Sequence, residues 1–134
     1  MTENKGFTSK DAALIVTATP AAGASNALDI GAIDALGVHS EPFELELDVP
    51  AFTATDLPSN ATLTITLQSC AEPTFAAPTA EWSQTIGDGT AFAGATVRYR
   101  PALRANQYWR VAISSAGSPA STATSKAVTL SFVC

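Results

Sequence analysis

The sequence predicts an all-β fold, a two-sheet antiparallel sandwich of about eight strands of the jelly-roll type. Three observations carry that expectation. Apolar and polar residues alternate with a period of two in several segments, helical periodicity is faint throughout, and proline and glycine fall between the alternating segments. The 134 residues fit one domain spanning 1–134, with residues 1–10 as a polar N-terminal arm.

Taken in order, residues 12–19 and 27–30 are the first candidate strands, separated by the turn Pro20-Ala21-Ala22-Gly23. Residues 30–37 can form one short helical turn closed by Gly37. The clearest strand is 43–49, where Phe43, Leu45, Leu47 and Val49 share one face and Glu44, Glu46 and Asp48 the other. Residues 61–67 repeat the pattern, with Leu63, Ile65 and Leu67 inward and three β-branched threonines outward. Weaker alternation marks residues 81–86, with Trp82 and Ile86 on one face, and 96–100. Trp109, Val111 and Ile113 define a seventh strand, and Val128, Leu130 and Phe132 an eighth. The intervening stretches 50–60, 73–78, Gly87-Asp88-Gly89 and Gly117-Ser118-Pro119 read as connections. No internal repeat is visible, which argues against a solenoid or propeller.

Composition narrows the function classes. Alanine, threonine and serine number 26, 17 and 12, and the ten aromatics leave a lean set of large core residues. The formal charge of -5 argues against binding nucleic acid through a basic footprint. The opening residues lack a basic start followed by an apolar run, so no export signal is expected, and no segment is long and apolar enough for a membrane helix. Cys70 and Cys134 are far apart and form no metal-binding pair, and both are expected as reduced thiols. Asn60-Ala61-Thr62 matches a glycosylation sequon that a chain made and kept in the cytoplasm never presents to that machinery.

The charges are segregated. Residues 11–97 contain eleven acids and no Lys or Arg, whereas 98–134 contain Arg98, Arg100, Arg104, Arg110 and Lys126 and no acid. Val97-Arg98-Tyr99-Arg100 alternates, which places both guanidiniums on one strand face, complementary to the row Glu44, Glu46, Asp48. Like charges along one strand face repel, so pairing with a row of opposite sign relieves a cost. Two arrangements do this: ion pairs within the chain on a solvated face, or complementary subunit or capsid surfaces using Arg98, Arg100, Arg104 and Arg110 against Glu44, Glu46 and Asp48.

Catalytic patterns are missing. There is no Gly-x-Ser-x-Gly, phosphate-binding glycine loop, EF-hand loop or His-Glu-x-x-His, and the one histidine, His39, sits in a Gly/Ser/Pro turn. Glu44 and Glu46 share one strand face, whereas paired catalytic carboxylates converge from different elements. Neither an enzyme nor a bound metal or cofactor is expected. Trp82 and Trp109 occupy alternating strand positions and are expected in the core.

The order of features resembles the jelly-roll capsid cement, or decoration, proteins of tailed bacteriophages. The likeness runs through Asn26-Ala27-Leu28-Asp29-Ile30-Gly31, the segment 43–52, Ala61-Thr62-Leu63-Thr64-Ile65-Thr66-Leu67-Gln68, the Arg-Tyr-Arg-Pro region and Gln107-Tyr108-Trp109-Arg110-Val111. It is a strand pattern with short local matches across nearly the whole chain. The resemblance implies a virion structural protein, assembled in the host cytoplasm, that sits as a homotrimer on the outer capsid surface and bridges major capsid subunits. It implies no enzyme activity or cofactor, and the charge and the lack of a long apolar run lead to the expectation of no nucleic acid or membrane partner. The alternative from another class is a carbohydrate-binding β-sandwich module of a phage tail or fibre, with Trp82, Tyr99, Tyr108 or Trp109 exposed in a groove.

Overall fold

A computed structural model describes residues 15–29, 44–100 and 106–133. Within them lie eight strands: β1 (Ile15–Ala18), β2 (Leu28–Asp29), β3 (Glu44–Val49), β4 (Thr62–Cys70), β5 (Thr79–Gly87), β6 (Ala95–Tyr99), β7 (Tyr108–Ala116) and β8 (Val128–Val133). Each overlaps a segment picked out by alternation. The N-terminal arm, the helical turn expected at 30–37, Phe43, His39, Arg104 and Cys134 lie outside the described residues.

The strands form two four-stranded antiparallel sheets, ordered β1-β8-β3-β6 and β2-β7-β4-β5. The pairings β1 with β8, β2 with β7, β3 with β6 and β4 with β5 are those of one long hairpin rolled up on itself. The added contacts β3 with β8 and β4 with β7 close the roll. This is the jelly-roll solution to the edge problem of eight strands.

The core lies between the sheets and follows from the period of two. Leu45, Leu47 and Val49 of β3 and Val128 and Leu130 of β8 face Leu63, Ile65 and Leu67 of β4 and Trp109 and Val111 of β7, all buried. Full burial of each large aliphatic side chain contributes about 1.5–3 kcal/mol. Trp109 is buried as expected, whereas Trp82 on the outermost strand β5 is only partly covered.

Two features depart from the expectation. The connection 50–60 is more than a loop, because Phe52 and Leu57 are core residues and Phe52 exchanges two backbone hydrogen bonds with Phe92, at 2.8 and 2.7 Å. A single helical turn, α1 (Ser121–Thr124), precedes β8 and buries Ala123. Four residues are too few for any periodicity to reveal it.

Candidate functional site

Because Leu45, Leu47 and Val49 turn inward, Glu44, Glu46 and Asp48 must line the outer face of the first sheet. The β3–β6 register sets Glu46 opposite Arg98 and Asp48 opposite Thr96. Arg98 donates from Nη1 to Glu44 Oε1 at 3.2 Å and from Nη2 to Glu46 Oε2 at 3.4 Å. Arg100 Nη2 donates to Glu44 Oε2 at 2.9 Å, and the Thr96 hydroxyl to Asp48 Oδ1 at 3.4 Å. The hydrogen bonds from Arg100 and Arg98 hold the Glu44 carboxyl below its ordinary range. Two acids and two bases thus form a ladder inside one chain, so the pairing that the charge map offered to a neighbouring subunit is already made across two neighbouring strands. The guanidiniums stay accessible, with Arg98 and Arg100 side chains 54% and 67% exposed.

Arg110 does not belong to this ladder. It projects from β7 in the other sheet, where its Nε donates to Gln68 Oε1 at 2.8 Å and its guanidinium lies 4.3 Å from the centre of the Phe75 ring. The β4–β5 connection is therefore folded back over the end of the second sheet, with Phe75 buried beneath Arg110. Arg104 lies outside the described residues.

The outer face of the second sheet is chemically different. Thr62, Thr64 and Thr66 of β4 stand beside Ser83 and Thr85 of β5 and Ala112, Ser114 and Ala116 of β7. Thr64 and Thr85 hydroxyls lie 2.9 Å apart, and those of Thr66 and Ser83 3.4 Å. This part of the face carries hydroxyls and methyls and no charge.

Two polar clusters escaped sequence reasoning. The first closes the open side between β5 and β6. Tyr99 donates its hydroxyl to Glu81 Oε1 at 2.8 Å, and Ser69, wholly buried, donates to Glu81 Oε2 at 2.6 Å. Asn106 Nδ2 donates to the Ser69 hydroxyl at 3.0 Å, and the Trp109 indole donates to the Asn106 carbonyl at 2.8 Å. Ser69 continues the inward row Leu63, Ile65, Leu67, and a polar residue at that place in the row was the one available signal.

The second cluster centres on Asp56, which is buried. Its Oδ2 accepts from the Thr53 backbone N–H at 2.9 Å and from Lys126 Nζ at 2.9 Å, while its Oδ1 accepts from the Thr122 hydroxyl at 2.5 Å. These donors hold the carboxyl far below the usual range. Lys126 also donates to the Ala51 carbonyl at 2.7 Å and sits 5.1 Å from the centre of the Phe52 ring. One carboxylate thereby ties the 50–60 connection to α1 and the start of β8.

Among the described aromatic residues, Tyr99 and Trp109 stand together, with ring centres 5.7 Å apart. Trp109 is buried, Tyr99 directs its hydroxyl to Glu81, and Trp82 packs partly against the core. Tyr108 is half-buried on β7. Among the described residues no group of three or more His, Cys, Asp or Glu side chains could hold a metal ion, and Cys70 is a buried free thiol directed at the Ala77 carbonyl. No protein-family model matches the sequence, and no curated protein shows significant similarity to it.

Proposed function

We propose that this chain is a virion structural protein, a capsid cement or decoration protein that binds the outer surface of an icosahedral head as a homotrimer and stabilises it by bridging major capsid subunits. The observation that carries the reading is the rolled-hairpin strand order, reached by a short chain whose segments resemble those of the cement proteins in the same sequence order. Jelly rolls host many functions, so the surfaces matter as much as the fold. The outer faces of the two sheets are broad, built on paired strands and chemically distinct: one carries an ion-paired ladder, the other, beyond Arg110, a plain of hydroxyls and methyls. Such faces suit attachment to another protein surface. On the ladder, Arg98 and Arg100 keep exposed guanidinium donors for acceptors on a capsid subunit, where charge sets register and apolar contact supplies most of the affinity.

The reading is tested with heads assembled without the chain. Added protein should saturate a fixed number of outer sites, and occupied heads should withstand heating that opens bare ones. Light scattering of the free protein should give three times 13.7 kDa. Heads that take up none of the protein would overturn the reading.

A further inference from the structure

The four outermost strands of the two sheets are not equally protected. An outermost strand presents unpaired backbone N–H and C=O groups, and proteins blunt such edges with short length, charge, proline or a bulge. Within the described residues β1 has four residues and β2 two. β6 has five, carries Arg98, is followed by Arg100 and runs on into Pro101 in sequence. β5 has nine residues and contains no Lys, Arg or Pro. Among the described residues no strand or isolated bridge pairs with its outer edge.

The one charged residue of β5 does not guard that edge. The β4–β5 register passes from Leu67 opposite Trp82 to Gln68 opposite Ala80, which leaves Glu81 as the extra residue of a bulge. Its carboxylate is turned to Tyr99 and Ser69. Beyond the bulge, Trp82 to Gly87 form a continuous uncharged edge. Ser83 and Thr85 on its outer face extend the hydroxyl rows that begin at Thr66 and Thr64.

We infer that β5 is a strand-pairing edge that meets β5 of a second copy of this chain, antiparallel about a twofold axis, to join two second sheets into one of eight strands. A second copy fits for two reasons. An antiparallel edge is complementary to itself, because the same row of donors and acceptors returns under a twofold rotation. Each chain also carries a net charge of -5, so two copies approach most easily where both are uncharged, and Trp82 to Gly87 is such a stretch. The twofold contact is made by the second sheet and leaves the outer face of the first sheet, with its ion-paired ladder, uncovered.

The test is sedimentation velocity of the full chain over a range of concentrations, beside the double variant Ser83→Lys/Thr85→Lys, which sets lysines against one another across the contact. The wild type should show a step that doubles the mass of its smallest species, and the variant should weaken that step about tenfold or more. Hydrogen exchange on the wild type supplies a second measurement that does not depend on the variant folding. Backbone amides of residues 82–87 should become more protected as concentration rises, while those of β6 do not. A wild type with no doubling step, a step equally strong in the folded variant, or amides at 82–87 indifferent to concentration would each overturn the inference. Failure of the twofold step would leave head binding and any threefold species untouched, so the two readings fail separately.

Discussion

Arg98 stands directly opposite Glu46 in the β3–β6 register although 52 positions separate them in sequence, with Arg98 Nη2 3.4 Å from Glu46 Oε2. Two stretches of unlike charge are thus made neighbours by the closing of one strand pair. The ladder they form with Glu44 and Arg100 offsets the repulsion of the acidic row without any partner molecule.

Reversing Arg98→Glu and Arg100→Glu together should therefore lower the thermal midpoint of the isolated protein by several degrees at low salt, because five acids and no base would then share the face that carries Glu44, Glu46 and Asp48. Raising the salt to about 1 M, where screening acts within roughly 3 Å, should narrow the gap to wild type. Calorimetry at two salt concentrations checks this. A midpoint unchanged at low salt would mean that the in-chain ladder contributes nothing to stability.

The same ladder gives a pH signature. The Glu44 carboxyl is held below its ordinary 4.5, first by the hydrogen bond from Arg100 and then by that from Arg98. Its folded value is the lower one, so its contribution is fully present above about pH 4.5 and is lost as the pH falls through the folded value. Arg98→Gln with Arg100→Gln should flatten that part of the stability curve, measured as urea midpoints between neutral and strongly acid pH.

Asp56 should matter more than its place in a loop suggests. Its carboxyl is depressed from 3.8 by the Thr122 hydroxyl first, the Thr53 backbone second and Lys126 third. Its stabilising effect is present above pH 3.8 and fades only as the pH drops through the lower folded value. Asp56→Ala removes the acceptor of the Thr53 N–H and the Thr122 hydroxyl, leaves Lys126 only the Ala51 carbonyl, and loosens the connection that carries Phe52 and Leu57. Thermal melts should rank wild type, Asp56→Asn and Asp56→Ala in falling order, since the amide keeps an acceptor oxygen but not the charge.

Sheet elements were legible wherever a strand buries one face and wets the other. Leu45, Leu47 and Val49 against Glu44, Glu46 and Asp48 announce β3 without ambiguity. The complementary charge rows were legible as well, but alternation does not encode which strand lies beside which, so the sequence left their pairing open between one chain and two. Phe52 and Leu57 were missed because they follow no period, their burial being imposed by the turn around Asp56. The Ser69 and Glu81 cluster was missed because a bulge at Glu81 breaks the alternation that would have given its direction.

Glycine at 117 is a sharper test of the packing at the connections. Its φ is 73°, and a Cβ placed there would collide with the Asn60 carbonyl oxygen, a backbone atom that cannot swing aside. At Gly23, with φ of 89°, a Cβ would meet nothing within 4 Å. Gly23→Ala should therefore cost about 1–2 kcal/mol, the conformational penalty alone, and Gly117→Ala distinctly more. Denaturant unfolding of both variants measures the difference. Equal losses would mean that the turn after β7 is not seated on Asn60.

Tyr99 joins the two sheets along their open side, reaching from β6 in the first to Glu81 on β5 in the second at 2.8 Å. The hydrogen bond to Glu81 is the largest reason that its phenol resists ionisation beyond the ordinary 10.0, followed by burial and the carboxylate charge. A raised folded value means that the contribution is intact below pH 10 and is lost as the pH climbs through that value, where a phenolate would face a carboxylate. Tyr99→Phe removes the donor and should cost about 1 kcal/mol near neutral pH, a loss that shrinks at strongly alkaline pH. The chain has two tyrosines, so subtracting the near-ultraviolet phenolate titration of Tyr99→Phe from that of the wild type isolates the Tyr99 component. Glu81→Gln should keep that component but move it downward, because the amide still accepts the hydrogen bond without repelling a phenolate. If Glu81→Gln leaves the titration where it was, the carboxylate does not control Tyr99, and the side of the sandwich is held by the partly buried Trp82 and its apolar neighbours instead.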